Sequence, residues 1–482
     1  MSLKKAALRG FIWDLVGMFS RHGIKFVVSI FLARLLEPEE FGLVGMALVF
    51  IVISQAFADF GFGSALIQNK KNTSQAYSSV FFINIIAGVL LSGLFYGLAP
   101  FVADFFNNKD LTPLIEWLSL NFVFSSFIIV QKSILTREIN FKAISLADVI
   151  SQTASGIIAV ILAFSGWGVY ALVVQNLLGV LLNGILLWVW TDWYPKMEFS
   201  WGEVKKLTGF SAFMFMDQIL SRISNQLDVF FVGKVFSPAT LGYYTRAQSL
   251  NNMVSQYSST SFTKIFFPVL SKFQDDEEGF KRVYFRVISI ICFFTFLVSG
   301  LMVFWGETII VVLFGEKWQP SVIIFQVLIL MAFARPINAM MVNAFLGKGK
   351  AKENFYVGLF RKFIRLFPLL VGFYYGLMPF IYALVACSYF LTFCNMLFMK
   401  RILKIELSKH LRKVFEGVIV FFPFIFLFFN VTLFENKILN NITYSVIFVT
   451  AYLLWSIVLQ NEGMLYVKSH IKPAFTKIKR KL

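Results

Sequence analysis

Apolar runs of roughly 20 residues or more, parted by short polar breaks, fill the chain from end to end. They lie at about 11–34, 41–67, 77–101, 112–134, 144–165, 168–190, 207–235, 241–267, 283–305, 319–346, 354–374, 377–399, 414–434 and 441–460. A helix needs roughly 20 residues to cross a bilayer, so the pattern predicts an all-α polytopic membrane protein of about fourteen transmembrane helices. The run at 241–267 is the least apolar, and hydropathy alone would pass over it.

Polar residues inside the runs are more informative than the runs. The stretch Phe11–Leu43 reads FIWDLVGMFSRHGIKFVVSIFLARLLEPEEFGL. At about 100° per residue, Asp14, Gly17, Met18, Arg21, Lys25 and Ser29 share one stripe of a helix. A cation at the bilayer centre costs about 2.5–3.5 kcal/mol on the lenient insertion scale. Arg21 and Lys25 therefore call for a water-filled cavity, acidic partners or an anionic ligand. The seventh span carries its own stripe of Asp217, Ser221, Ser224, Asn225 and Asp228. Gln55 and Asp59 sit four apart on the second span. Arg246 heads the polar side of the eighth. Arg335 precedes Pro336 in the tenth, where proline frees a backbone carbonyl at mid-membrane. Arg361, Lys362 and Arg365 lie in the eleventh.

Three echoes in the same order point to an internal repeat. LARLLEPEEFGLVG (Leu32–Gly45) is answered by VGKVFSPATLGYY (Val232–Tyr244), placing Pro38 and Gly42 on Pro238 and Gly242. VYALV (Val169–Val173) returns as IYALV (Ile381–Val385), and Pro100–Phe106 finds a counterpart in Glu307–Phe314. Two six-helix halves follow, 1–200 and 201–405. Both start from the same side, so they are related by a pseudo-two-fold along the membrane normal. Two further helices (406–462) and a basic tail (463–482) complete the chain. The repeat sets the cationic stripe of the first span against the acidic, hydroxyl-rich stripe of the seventh, across a central cavity.

The formal net charge of +18 would suggest nucleic acid in a soluble protein. Here it resides in short loops and sets orientation. With the N-terminus in the cytoplasm, the outer side holds only Arg34, Lys109, Lys234, Lys317 and Lys437, which puts both termini inside. Cys292, Cys387 and Cys394 lie within apolar spans and read as small core residues. There is no metal-ligand spacing, nucleophile elbow, phosphate loop or sizeable outer loop to carry catalytic groups. The expectation is a transporter without cofactor or covalent chemistry.

LARLLEPEEFGLVG, DFGFGSALIQ (Asp59–Gln68), LTREINFKAIS (Leu135–Ser145) and GWGVYALV (Gly166–Val173) together resemble Wzx-type polysaccharide flippases. These belong to the multidrug/oligosaccharidyl-lipid/polysaccharide exporter superfamily, and the branch is similar to colanic-acid exporters. The resemblance covers about the first 270 residues. It implies alternating-access movement of an undecaprenyl-pyrophosphate-linked oligosaccharide across the bacterial inner membrane, for surface polysaccharide assembly. The implied partners are that substrate, membrane lipids, a coupling proton or sodium ion, and polysaccharide polymerase machinery. Substrate contact is then expected at Arg21, Lys25, Arg246, Arg335, Gln55 and Asn225, and ion coupling at Asp217, Asp228 or Asp59. A cation-coupled drug exporter of the same superfamily is the other reading, and it would rest on those carboxylates. Topology reporters fused at Asn107, Glu316 and Lys437 should report the outside, and those at Lys71, Lys350 and the C-terminus the inside. One reversed pair would break both the topology and the repeat.

Overall fold

The computed structural model describes residues 3–69, 72–466 and 468–469. The side chains of residues 3–9, 11, 210, 213, 256–268 and 351 fall outside the description. Lys70, Lys71, the tail beyond 469, and the polar side chains of Gln256, Tyr257, Thr260 and Lys264 therefore lie outside the described residues.

Among the described residues the chain makes fourteen helical passes. They are α1 (Leu3–Leu35), α2 (Pro38–Asp59), α3 (Ser74–Phe105), α4 (Leu111–Ser126 and Ile129–Arg137), α5 (Phe141–Phe164), α6 (Val169–Val189) and α7 (Trp201–Val235). There follow α8 (Pro238–Lys272), α9 (Glu277–Phe314), α10 (Pro320–Ile329 and Ala334–Gly347), α11 (Ala351–Ile364 and Phe367–Tyr375), α12 (Leu377–Leu403), α13 (Leu407–Asn430) and α14 (Lys437–Val458). A short helix, Phe62–Gln68, follows α2. Ten passes are long and apolar enough to cross a membrane by length and composition. The other four are α7, α8, α11 and α13, where polar or charged residues dilute the apolar run.

Local sequence sets the helix ends. Pro38 occupies the first turn of α2, and Glu37 and Glu40 form a reciprocal capping box before it. Thr73, Asn140 and Asn436 accept backbone N–H groups at the starts of α3, α5 and α14. VYALV opens α6 directly after Gly168, and IYALV lies in the second turn of α12, which starts after Gly376; both glycines have positive φ (54° and 93°).

Contacts group the chain into two compact units. One comprises Met1–Thr245 with Leu313–Lys317, the other Arg246–Val312 with Trp318–Leu482, so the division falls within α8. In the first unit α1 runs along α5, and α5 along α6. The α1–α5 approach is close because small residues meet. A Cβ on Gly17 would stand 2.2 Å from Ser145 Oγ, and one on Gly156 would stand 2.4 Å from Val28.

The Pro-to-Gly repeat has a physical counterpart. A Cβ on Gly42 would lie 1.8 Å from the Pro238 carbonyl oxygen, and one on Gly242 would lie 1.9 Å from the Pro38 carbonyl oxygen. The first turns of α2 and α8 thus clasp backbone to backbone in a reciprocal, two-fold-like contact that a side chain would prevent. Four of the five cations expected on the outer side have local partners. Arg34 Nε donates to the Leu313 carbonyl (2.9 Å), and Lys317 pairs with Glu37 (3.2 Å). Lys437 pairs with Glu307 (2.7 Å), and Lys234 donates to the Phe105 carbonyl.

Gly42→Ala and Gly242→Ala should each lower the thermal midpoint of the purified protein, the overpacking costing about 1–3 kcal/mol. The double variant should lose less than the sum, because both changes open one contact. Gly93→Ala, where nothing lies within 4 Å of the added carbon, serves as the neutral control. Unchanged midpoints in all three would discount the clasp.

Candidate functional site

Two polar networks cross the first unit. One begins at Arg21. The close seam of α1 on α5 delivers its guanidinium to Asp148, with which it forms an ion pair, the side chains being 33% and 14% exposed. The other carboxylate oxygen of Asp148 accepts from Asn183 Nδ2 of α6 at 2.9 Å. Lys25, one turn beyond Arg21 on the same stripe, is exposed, and it lies within electrostatic reach of both Arg21 and Asp148. The pair thus fixes one cation and leaves the second presented.

The other network joins α2, α4, α6 and α7. Arg222 of α7 donates to the Val52 carbonyl (2.8 Å) and to Gln55 Oε1 (3.2 Å). Gln55 Nε2 donates to Asn121 Oδ1 (2.7 Å), and Asn121 Nδ2 to Asn176 Oδ1 (2.7 Å). Ser125 Oγ also donates to Asn121 Oδ1 (3.0 Å). Asp59, at the end of α2, accepts from the Gly63 N–H (2.8 Å) and from Gln218, and it attracts Arg222.

The second unit holds the other expected cations. Arg246 is buried, 8% exposed, with its guanidinium 5.4 Å from the centre of the Trp318 ring. Arg335 is exposed and donates to Asn252 Oδ1 (2.6 Å). The tenth pass is broken at residues 330–333, and Tyr389 donates its hydroxyl to the freed Leu330 carbonyl (2.7 Å). Protein thus caps one of the carbonyls freed at this break. No cluster of three His, Cys, Asp or Glu suited to a metal occurs among the described residues.

Arg21 takes its counter-charge from α5, to which the Gly17 and Gly156 contacts commit α1. Arg222 lies on α7 beside the stripe of Asp217, Ser221, Ser224, Asn225 and Asp228. Of the remaining candidates, Asp217 and Asn225 are exposed on α7 and Asp228 is buried. Gln55 and Asp59 meet α7 near Arg222.

The family model described as "Polysaccharide biosynthesis protein" matches residues 31–323, more than half of the chain. The chain belongs to this family. Among polysaccharide biosynthesis proteins, the lipopolysaccharide biosynthesis protein WzxC of Escherichia coli (strain K12) is 23% identical over 379 residues, covering 77% of this chain and 76% of its own. The succinoglycan biosynthesis transport protein ExoT of Rhizobium meliloti (strain 1021) is 26% identical, with 65% and 64% covered. In fold, the chain superposes on the lipid II flippase MurJ in an inward closed conformation, with a TM-score of 0.73 at 16% identity. That match covers 93% of this chain and 98% of the other. This family member is a multi-pass membrane protein that shares the fold of MurJ.

Arg222 and Asn121 went unremarked in the sequence, although a signal existed. Arg222 is a cation at the centre of an apolar span, as Arg21 is, and stands one residue from the repeat equivalent of Arg21. Asp148→Ala should strand Arg21 and lower both thermal midpoint and membrane abundance. The expected loss is about 1–3 kcal/mol, below that of a fully buried pair because Arg21 is partly exposed. Arg21→Leu with Asp148→Leu should recover most of that loss in the same assay. Equal stability of wild type and Asp148→Ala would show the pair to be inert.

Proposed function

We propose that the protein flips a polyprenyl-pyrophosphate-linked oligosaccharide across the inner membrane, with both termini cytoplasmic, and that the first unit holds the pyrophosphate. The carrying observation is Lys25. It is an exposed residue in the middle of a membrane pass, beside an arginine already held by Asp148. An exposed cation at that depth is stable in a hydrated, anion-accepting cavity and not in lipid. Lys25 supplies the charge. Arg21, oriented by Asp148, supplies planar donors suited to phosphate oxygens.

The amide and hydroxyl chain of Gln55, Asn121, Asn176 and Ser125 offers neutral donors and acceptors of the kind that sugars engage. Arg222 anchors it to α7, while Asn225 stands exposed on that helix. Coupling to a proton or sodium ion is part of the same proposal, with Asp217, Asp59 and Asp228 as the candidate carboxylates. Lipopolysaccharide and succinoglycan in the names of the relatives support a glycan cargo. Lipid II in the name of the structural neighbour supports a lipid-linked one.

The test is export of surface polysaccharide in cells that depend on this protein. Lys25→Arg should keep about half or more of the wild-type amount, since the charge remains. Lys25→Glu should abolish export at normal membrane abundance, because a carboxylate repels pyrophosphate. Export by Lys25→Glu would sink the anionic-headgroup reading and favour a cation exporter.

A further inference from the structure

The first unit has an apolar groove that neither of its polar networks uses. It lies where α2 and α3 part. At its end α2 is pressed against α7, so that a Cβ on Gly61 would stand 2.4 Å from the Ser211 carbonyl oxygen. Phe60 and Gly61 make that turn in the left-handed region, at φ 48° and 74°. Meanwhile α3 is pressed against α4, where a Cβ on Gly88 would stand 2.8 Å from the Phe122 carbonyl oxygen. The gap left between α2 and α3 is a cavity of about 360 Å³, within the size range of ligand pockets. Phe57 and Phe60 line it from α2, and Ile83, Ile86, Ala87 and Leu90 from α3. The four residues of α3 are three or four apart and share one face. The rings of Phe57 and Phe60 pack on Phe215 of α7, with centroids 5.2 and 5.5 Å away.

Depth and lining set the chemistry of the occupant. Ile83 to Leu90 lie about 14–24 Å along α3, a helix of 32 residues. Every residue lining the groove is apolar. Ile86 and Leu90 are exposed, and through them the groove opens onto the exposed stripe of Leu94, Leu98 and Phe101, the bilayer-facing side of α3. A hydrocarbon chain fits such a groove. Another helix fits it poorly, because helices pair in membranes through small or polar residues and this lining is mostly large. The amide chain begins on the other side of α2. Gln55 is two residues from Phe57, about 200° around the helix, and it bonds to Asn121 and Arg222. At one depth, therefore, α2 divides an apolar groove from a polar network. A phospholipid keeps its head group at the membrane surface and gains nothing from that network. A lipid joined to a glycan matches both faces of the helix.

We propose that the groove between α2 and α3 seats the polyprenyl tail of the lipid carrier, while the glycan engages the network on the far side of α2. The proposal rests on the flippase reading. It gives the tail a seat on the protein, where the reading itself assigns residues only to the pyrophosphate, the glycan and the coupling ion.

The full chain in phosphatidylcholine nanodiscs is irradiated with a geranylgeranyl pyrophosphate that carries a diazirine on its last isoprene unit. Labelled residues are then mapped by mass spectrometry. Label should fall on Ile83, Ile86 or Leu90, and excess undecaprenyl pyrophosphate should displace it. Ala87→Phe, which fills the groove, should lower that labelling about fivefold or more in folded protein. Leu94→Phe, outside the lining, should leave it unchanged. The wild-type map does not depend on how a variant folds. Groove label that undecaprenyl pyrophosphate fails to displace, and that phosphatidylcholine bearing the same diazirine gives equally, assigns the groove to bilayer chains and overturns the proposal. A folded Ala87→Phe protein that labels as wild type overturns it too. Displaceable label confined to other helices overturns the groove and keeps the flippase reading, whereas absence of displaceable label anywhere overturns both. Disulfide-linked dimers of a Leu90→Cys variant in native membranes would give the groove to a second copy and overturn the tail site.

Discussion

The electrostatic cost of a cation at membrane depth shapes the first unit. Arg21 cannot face lipid, and Asp148 relieves it only if α1 and α5 come close together. Gly17 and Gly156 permit that approach, since any side chain at either position would collide with Ser145 or Val28. Asn183 then uses the remaining oxygen of Asp148 and ties in α6. One ion pair thus sets the spacing of three helices. It also leaves Lys25 exposed as the cation that this packing does not consume.

Charge satisfied by protein differs in kind from charge left available. Arg222 is spent on a carbonyl and an amide, and Arg246 is laid against Trp318. Lys317 and Lys437 are paired with Glu37 and Glu307. Lys25 and Arg335 are exposed within their passes. Paired cations hold helices in register, whereas an exposed cation at membrane depth keeps an affinity for an anion.

The number and order of the passes were legible because apolar run length is a direct constraint of the bilayer. The Pro38–Gly42 and Pro238–Gly242 echo was legible as well, and it corresponds to a reciprocal backbone contact. The neighbour of α1 was not legible. Helical periodicity reveals which residues share a face, but not which helix that face meets. Gly17 was read as a member of a polar stripe, when its role is the absence of a side chain against Ser145. Arg222 was overlooked for a related reason. It lies about 100° from Ser221, off the stripe drawn through Asp217 and Asn225, and its importance comes from α2 passing beside it.

The two units solve the same problem with different materials. In the first, a carboxylate lies within reach of the central arginine, and the amide chain from Gln55 to Asn176 distributes the remaining hydrogen bonds. In the second, acidic residues lie at helix ends and in loops, except for Glu307, paired with Lys437 (2.7 Å), and Glu416, bonded to Asn461 (2.6 Å). Arg335 of α10 therefore meets a neutral partner, Asn252. The turns at Pro38–Gly42 and Pro238–Gly242 keep a backbone contact that tolerates no side chain, whereas each polar network needs only to balance its own charge.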